Sequence, residues 1–455
     1  MTTLYPMTAS ARRYVDIIRL GFPLLVAQAG MIVVGFADTT MVGHYSTEAL
    51  AAASFVNNLF NVAIISCLGM TMGLTPLIGA LFAQKRTHDA GAMVRNAVPV
   101  NVLFCLLVMG VMTVVYLNLH NLGQPEELLP LIRPYFIIYL AGMLPVVIFQ
   151  VWAQWSYGIK RTGMPMWIIL ACNALNIIFN YLLIYGNCGF PEMGLTGAGI
   201  ATLIARVTSA LLILAIFFGK KEHKPYRDGF FHSRLNGSML RRVANTSWPV
   251  ALQMAFESGS FTAAAIMVGW LGAIELAAFQ VIVITGTLGF CVYYSMAGAV
   301  SVLVSNAAGR DDRREMRRLA TAGYIILLVL ATAASVFFAT GSHILIGLFT
   351  NDAAVEACAL SLIFPLILYQ LCDATQINFA NALRGTSNVL PMMYISLISY
   401  IIVGLPATYI MGFTMGMGIY GIMLSFSVSL GVASVLFVYF FLRTTRAPHP
   451  HTEQP

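Results

Sequence analysis

Charge is what this sequence has least of. Only 9% of its 455 residues are Asp, Glu, Lys or Arg, while 59% are hydrophobic. An ordinary chain carries roughly 25% charged residues. Forty-three charged side chains cannot cover the surface of a soluble protein of this length, so a water-soluble fold is excluded. Strand-like alternation is also missing. The apolar runs are continuous over 20 or more residues, which argues against a transmembrane β-barrel. None of the seven cysteines forms a CxxC pair, and most lie inside apolar runs, where a thiol acts as a small hydrophobe. Neither a disulfide framework nor a metal cluster is expected. No HExxH, GxxxxGK[ST] or GxSxG motif occurs, and the eight histidines all fall at run ends, in connections or in the tail. A membrane metallohydrolase, an ATP-driven pump and a serine hydrolase are thereby disfavoured, and no cofactor is expected. A net charge of +7 would suggest nucleic acid in a soluble protein. Here basic membrane-protein loops explain it, and no nucleic-acid partner is expected.

What the sequence does contain is twelve apolar runs. About 20 apolar residues span a bilayer as a helix, so the runs predict transmembrane helices at Ile17–Gly43, Leu50–Phe82, Ala92–Leu117, Leu131–Tyr157, Pro165–Tyr185 and Leu195–Phe218. A second set follows at Val243–Leu271, Leu276–Ala307, Leu319–Ala339, Val355–Leu383, Val389–Phe413 and Ile419–Leu442. Met1 to Ala11 is polar, and the first run is too long for a signal-peptide core, so it reads as a retained helix. Basic residues test the count. With this assignment 23 of the 25 Lys and Arg fall on one side, whereas the opposite side carries Glu48, Glu126, Glu127, Glu192, Glu275, Asp352 and Glu356. That alternation places both termini in the cytoplasm. Two arginines fall outside it: Arg133, at an outer helix end, and Arg206, near the middle of helix 6. A mid-membrane arginine must face protein or water. It reads either as the partner of a carboxylate or a gate, or as a structural donor to backbone carbonyls.

The chain aligns with itself at an offset of about 226. Met41-Val42-Gly43 matches Met267-Val268-Gly269, Leu50-Ala51-Ala52 matches Leu276-Ala277-Ala278, and Pro23 matches Pro249. Each half therefore holds six helices. Because six is even, the halves are parallel repeats. The expected fold is all-α and integral to the membrane, with twelve helices in two six-helix lobes around a central cavity: an N-lobe over 1–218, a basic cytoplasmic linker over 219–242, and a C-lobe over 243–455 with a short tail. Repeats of this kind in transporters put the substrate site near the membrane midplane and work by alternating access.

Three carboxylates interrupt the apolar runs: Asp38 in helix 1, Glu257 in helix 7 and Asp373 in helix 10. Each costs roughly 2–3.5 kcal/mol at a helix centre on an insertion scale, and nothing about folding calls for three of them. Tyr369 and Asp373 are four apart on one helical face, with Gln376 a turn further; Asn176 and Asn180 are likewise four apart in helix 5. Carboxylate and amide oxygens suit a hard cation such as Na⁺. Desolvation disfavours a bare carboxylate anion, so the same groups suit a proton. The acids are not repeated between halves: at offset 226, Asp38 falls on Ala264 and Glu257 on Met31.

With these residues in place the chain resembles the multidrug and toxic compound extrusion (MATE) transporters, and among them the NorM-like branch. The carriers are GFADTTMVG in helix 1, GLTPLIGALFAQ in helix 2, LNIIFNYLLIYG and GFPEMGLTGAGIAT in helices 5 and 6, FES in helix 7, AFQ in helix 8 and LYQLCDATQINFANALRG in helix 10. The resemblance implies a bacterial inner-membrane exporter of amphipathic, often cationic, small molecules, driven by Na⁺ or H⁺ and embedded in lipid; nothing in the sequence argues for an obligate oligomer, so a monomer is expected. It implies an N-lobe cation or proton site at Asp38, Asn176 and Asn180, and a C-lobe site at Glu257, Tyr369 and Asp373. Na⁺ could sit at Glu257, Asp373 or Asp38. Gln280, Gln376 and Arg206 are further candidate cavity residues. Ser387-Asn388 departs from the Lys-Asp or Gly-Asp pair of many relatives. The competing reading is a flippase for lipids or lipid-linked oligosaccharides. It would call for several cavity cations to meet phosphate, and this chain offers three acids against Arg206 alone.

Overall fold

A computed structural model describes residues 8–122, 125–347, 349 and 352–446; residues 447–455 of the expected tail lie outside them. Among the described residues the chain is helical throughout, with no strand. The long helices are α1 (Ala9–Tyr45), α2 (Thr47–Ala83), α3 (Thr87–Leu117), α4 (Glu126–Gly158), α5 (Gly163–Tyr185), α6 (Gly194–Gly219), α7 (Gly237–Gly269), α8 (Ala273–Gly309) and α9 (Arg313–Gly347). They continue as α10, a pair bent by 45° between Ala353–Ser361 and Ile363–Gly385, then α11 (Leu390–Thr414) and α12 (Gly418–Arg446). Several run beyond their apolar windows. Hydropathy marks only the part of a helix that lies in hydrocarbon, and the backbone stays helical into the charged ends, as Arg12, Arg13 and Arg313 show.

Ten of the twelve are long and apolar enough to cross a membrane singly, and α10 qualifies as a bent pair. The exception, α7, has the length at 33 residues but carries Gln253, Glu257, Ser258, Ser260 and Thr262. Gln253 and Ser260 are buried in protein, which is where a polar helix face in a membrane must point. The opposite case is α3, which exposes Leu103, Leu107, Val111 and Val114 at helical spacing. That apolar stripe suits lipid. The protein is a multi-pass membrane protein.

Packing divides the chain into two compact units, residues 26–251 and residues 1–25 with 252–455. The divisions fall inside α1 and α7 and not at the basic linker, so the units are drawn differently from the sequence lobes 1–218 and 243–455. Each division comes two residues after an intrahelical proline, Pro23 or Pro249. Proline lacks the N–H that would close the preceding turn, so it is a natural place for a helix to bend. Local contacts account for both exchanges. Near its start, α1 is tied to α9 by a bidentate pair: Arg13 Nε and Nη2 donate to Glu315 Oε1 and Oε2, each at 2.8 Å. Early in α7, Ser247 lies so close to the break in α2 that a methyl group on Gly73 would sit 2.5 Å from its Oγ.

The first unit is built on two apolar clusters. One joins Leu74, Ile78, Trp152, Trp155 and Phe217; the other joins Val56, Phe60, Ile132, Phe136 and Ile184. The second unit has its own pair, around Phe279, Phe338, Ile422 and Phe426, and around Tyr293, Leu327 and Ile377. Between α6 and α7, where a linker was expected, the chain forms a short helix, Lys224–His232. Pro225 starts it, and Arg95 Nη1 closes its far end by donating to the carbonyls of Phe230 and Phe231 at 2.8 and 2.9 Å. Two glycines set its distance from α3. A methyl on Gly91 would sit 1.8 Å from the Tyr226 carbonyl oxygen, and one on Gly229 would sit 1.9 Å from that of His88. Just before this helix, His223 is buried edge-on against Trp155, with ring centroids 5.0 Å apart. Its Nδ1 donates to the Ile216 carbonyl at 3.1 Å. Burial holds this imidazole below its usual protonation range, although the Ile216 bond pulls the other way. Outside it, Arg161 pairs with Glu222 at 2.6 Å.

Gly91→Ala is expected to destabilise the protein by about 2–3 kcal/mol, because the added carbon meets backbone rather than a side chain that could move aside. Gly110→Ala on the same helix meets nothing within 4 Å and should be neutral or stabilising. Thermal unfolding of the two purified variants in detergent compares them directly. His223 adds a pH dependence. The folded state refuses a proton that the unfolded chain accepts, so its contribution is complete above the ordinary imidazole value of 6.5 and is lost as the pH falls below it. In His223→Gln, the drop in melting temperature from about pH 8 to about pH 5.5 should be smaller than in the parent.

Candidate functional site

The first unit gathers the residues expected at an N-lobe site. Asp38 comes from α1, Asn176 and Asn180 from successive turns of α5, and Thr202 from α6. Asn180 Nδ2 donates to Asp38 Oδ1 and, at 3.2 Å, to Asn176 Oδ1. Asn176 Nδ2 donates to Thr202 Oγ1 at 3.3 Å, and that hydroxyl donates to the Ala198 carbonyl at 3.0 Å. The two asparagines are buried, while Asp38 is half-buried. With both amide nitrogens committed, Asn180 Oδ1 is left buried without a donor beside the carboxylate. One turn beyond Thr202, Arg206 lies with its guanidinium 4.3 Å above the centre of the Tyr139 ring and within charge reach of Asp38.

The second unit gathers the remaining acids. Glu257 from α7 and Asp373 from α10 lie within charge reach of each other. Asp373 is fully buried, and Glu257 and Tyr369 are half-buried. Tyr369 and Asp373 share a face of α10, as their spacing predicted. Around them stand Tyr293 and Tyr294 from α8, Tyr400 from α11, Gln253 one turn before Glu257, and Arg384. Tyr400 sits in a π-helical stretch, Leu397–Gly404, a wider turn that recurs at functional positions because it shifts a side chain out of α-helical register. Ser260 Oγ donates to the Tyr400 carbonyl at 3.4 Å and so links α7 to that turn.

The donor set is all oxygen. Asp373 Oδ2 and the side-chain carbonyl oxygens of Gln253, Gln370 and Gln376 are buried with no hydrogen-bond donor. Orphaned buried acceptors are uncommon in native proteins. Such acceptors three or four residues along the helix from Glu257 or Asp373 fit a hard monovalent cation or a proton. No group of three or more His, Cys, Asp or Glu exists among the described residues, so any cation held here would rest on amide and phenol oxygens as well as the acids.

Of the expected residues, Asp38, Asn176 and Asn180 come together in one unit, and Glu257, Tyr369, Asp373 and Gln376 in the other. Gln280, the candidate cavity residue of helix 8, is exposed on α8. Arg384 directly follows the expected end of helix 10 at Leu383. It lies in the last turn of α10, nine-tenths buried, with Nη2 donating to Asn381 Oδ1. A signal for it existed: it follows Asp373 by eleven residues, three helical turns on the same face. Gln253 could have been found by its four-residue spacing to Glu257. Tyr293, Tyr294 and Tyr400 carried no mark in the sequence.

The MatE family model matches this chain twice, over residues 23–182 and 249–410. The two matches begin 226 residues apart, the offset of the internal repeat. Among similar curated proteins is the "Probable multidrug resistance protein NorM" of Bradyrhizobium diazoefficiens, 26% identical over 97% of this chain and 96% of that protein. A protein of the same name from Photorhabdus laumondii is 28% identical over 89% and 88%. The fold matches a mutant of the Vibrio cholerae MATE transporter VcmN with a TM-score of 0.86 at 16% identity, covering 97% and 99% of the two chains.

Gly289 on α8 makes room for one member of the second cluster. A methyl there would sit 2.6 Å from Gln370 Oε1, whose amide donates to the Gly286 carbonyl at 3.3 Å. Gly289→Ala should destabilise by about 1–3 kcal/mol. Adding Gln370→Ala should recover part of that loss, because the two changes share one contact. A double-mutant cycle of thermal unfolding would measure the coupling.

Proposed function

The chain belongs to the MatE family, in its NorM-like branch, and from that premise we propose that it exports amphipathic, often cationic, organic compounds in exchange for Na⁺ or H⁺. It is a multidrug efflux transporter and not an enzyme. It works as a monomer in a bacterial inner membrane, with both termini in the cytoplasm, the side on which the basic connections between helices fall. The observation that carries the exchange reading is the placing of Asp38, Glu257 and Asp373 within membrane-length helices, with buried oxygens that lack donors on the same helices or their neighbours.

Energetics favour an exchanger. Expelling a monovalent cationic compound against an inside-negative potential costs about 2.3 kcal/mol per 100 mV. Inward movement of one Na⁺ or H⁺ offsets that electrical cost and leaves the ion gradient to drive export. The ion must bind more tightly to the state that releases the compound. Alternating access supplies the two states, with bending at Pro23 and Pro249 as the motion. Glu257, Tyr369 and Asp373 hold the ion in the C-terminal half, and Asp38, Asn176 and Asn180 in the N-terminal half. Aromatic side chains contribute cation–π contacts to the compound.

Ethidium efflux from de-energised, reloaded vesicles tests this, started separately by a Na⁺ gradient and by a pH gradient. One gradient should drive efflux, and Asp38→Asn, Glu257→Gln and Asp373→Asn should each reduce it by an order of magnitude or more. Absence of efflux under both gradients, with the protein present in the membrane, would overturn the reading and point to lipid-linked substrates.

A further inference from the structure

Arg206 has no task in the exchange described above, yet its surroundings are built for it. Tyr139 provides the ring beneath the guanidinium, itself packed on Tyr135 at 5.5 Å and on Phe60 at 5.0 Å. Gly142, at the break in α4, provides the space: a methyl there would sit 2.9 Å from Arg206 Nη1. That nitrogen is buried and donates to nothing. One turn before Arg206 on α6, Thr202 ends the hydrogen-bonded chain Thr202–Asn176–Asn180–Asp38. The charged and titratable groups facing this region are Asp38 from α1, Tyr135 and Tyr139 from α4, and Arg206 itself from α6. Arg206 is thus near the only carboxylate of the cluster among the described residues, and makes no ion pair with it.

A guanidinium cannot give up its proton at any accessible pH, so the charge on Arg206 is permanent. A ring face is a weak partner for it compared with a bare carboxylate in a low dielectric. Resting on the ring suits Arg206 when the negative charge on Asp38 is neutralised by a bound cation or proton. Once that neutralising group leaves, the pull of Asp38 exceeds that of the ring, and an Arg side chain with a free N–H stands ready to respond.

We infer that Arg206 is a resident countercharge that alternates with the coupling cation at Asp38. It rests on Tyr139 while Asp38 carries Na⁺ or H⁺, and swings onto Asp38 when that cation departs. The carboxylate is then never left bare in the membrane, and release of the cation becomes easier. Arg206 is a positioning residue that lowers cation affinity. This inference rests on Asp38 being a coupling-ion site.

The test uses full-length protein in proteoliposomes and reads the Na⁺ or H⁺ concentration that gives half-maximal ethidium efflux. Arg206→Gln should lower that concentration about tenfold and reduce maximal efflux, because release is no longer assisted. Arg206→Lys keeps the charge and should stay within about threefold of the parent. Tyr139→Leu keeps the arginine but removes its resting place, and should shift the half-maximal concentration upward, the opposite sign. The upward shift needs no change at Arg206 itself, so it tests the inference even if Arg206→Gln fails to fold. An unchanged half-maximal concentration in Arg206→Gln or Tyr139→Leu, with Asp38→Asn still abolishing the cation response, would make Arg206 purely structural and overturn the inference alone. A cation response that survives Asp38→Asn unaltered would overturn the assignment of Asp38 first, and this inference with it.

Discussion

A carboxylate inside an apolar helix bundle must be met by a proton, a cation or a set of oriented dipoles. Much of this structure follows from having three. The constraint explains why α7 is too polar to pass as a lipid-facing span, since its face toward Glu257 has to supply hydrogen-bonding groups. It explains the pairing of asparagines on α5, where the amide of Asn180 donates both to Asp38 and to Asn176. It also gives the π-helical turn in α11 a purpose, for that turn carries Tyr400 toward Glu257 and Asp373. These polar groups stay in place because the apolar clusters of each unit hold their helices.

The two halves answer the constraint differently. In the first unit a single acid is met by a chain of amides and a hydroxyl, with one arginine held near. In the second, two acids share a cluster of tyrosines and glutamine oxygens, with Arg384 buried within charge reach of Glu257. The repeat accounts for the common scaffold, and it is seen again in the paired family matches. It does not account for the chemistry, because no acid at one site has an acidic counterpart at offset 226 in the other half. The two halves share a set of helices and carry different polar groups on them.

Glycine has a comparable part in bringing helices close enough for these contacts. Gly142 leaves the space that Arg206 occupies, Gly289 the space for Gln370, and Gly91 with Gly229 the space for a helix where a plain linker was expected. In each case a single methyl group would collide with backbone or with a buried polar atom.

Much of this protein was legible in the sequence. Eleven of the twelve long helices follow from hydropathy, which is a property of consecutive residues and needs no tertiary information. The acids at Asp38, Glu257 and Asp373 stood out because an ion in an apolar run is costly wherever the run packs. Asn176, Asn180 and Tyr369 followed from four-residue spacing on one helix. Only the tertiary structure placed Tyr293, Tyr294 and Tyr400 beside the acids and brought Arg384 within charge reach of Glu257. Only it put Arg206 on Tyr139, and drew the compact units through Pro23 and Pro249 rather than through the basic linker. The physical reason is the same throughout. Periodicity records which face of a helix a residue occupies, whereas the partner that face meets depends on contacts between segments far apart in the chain.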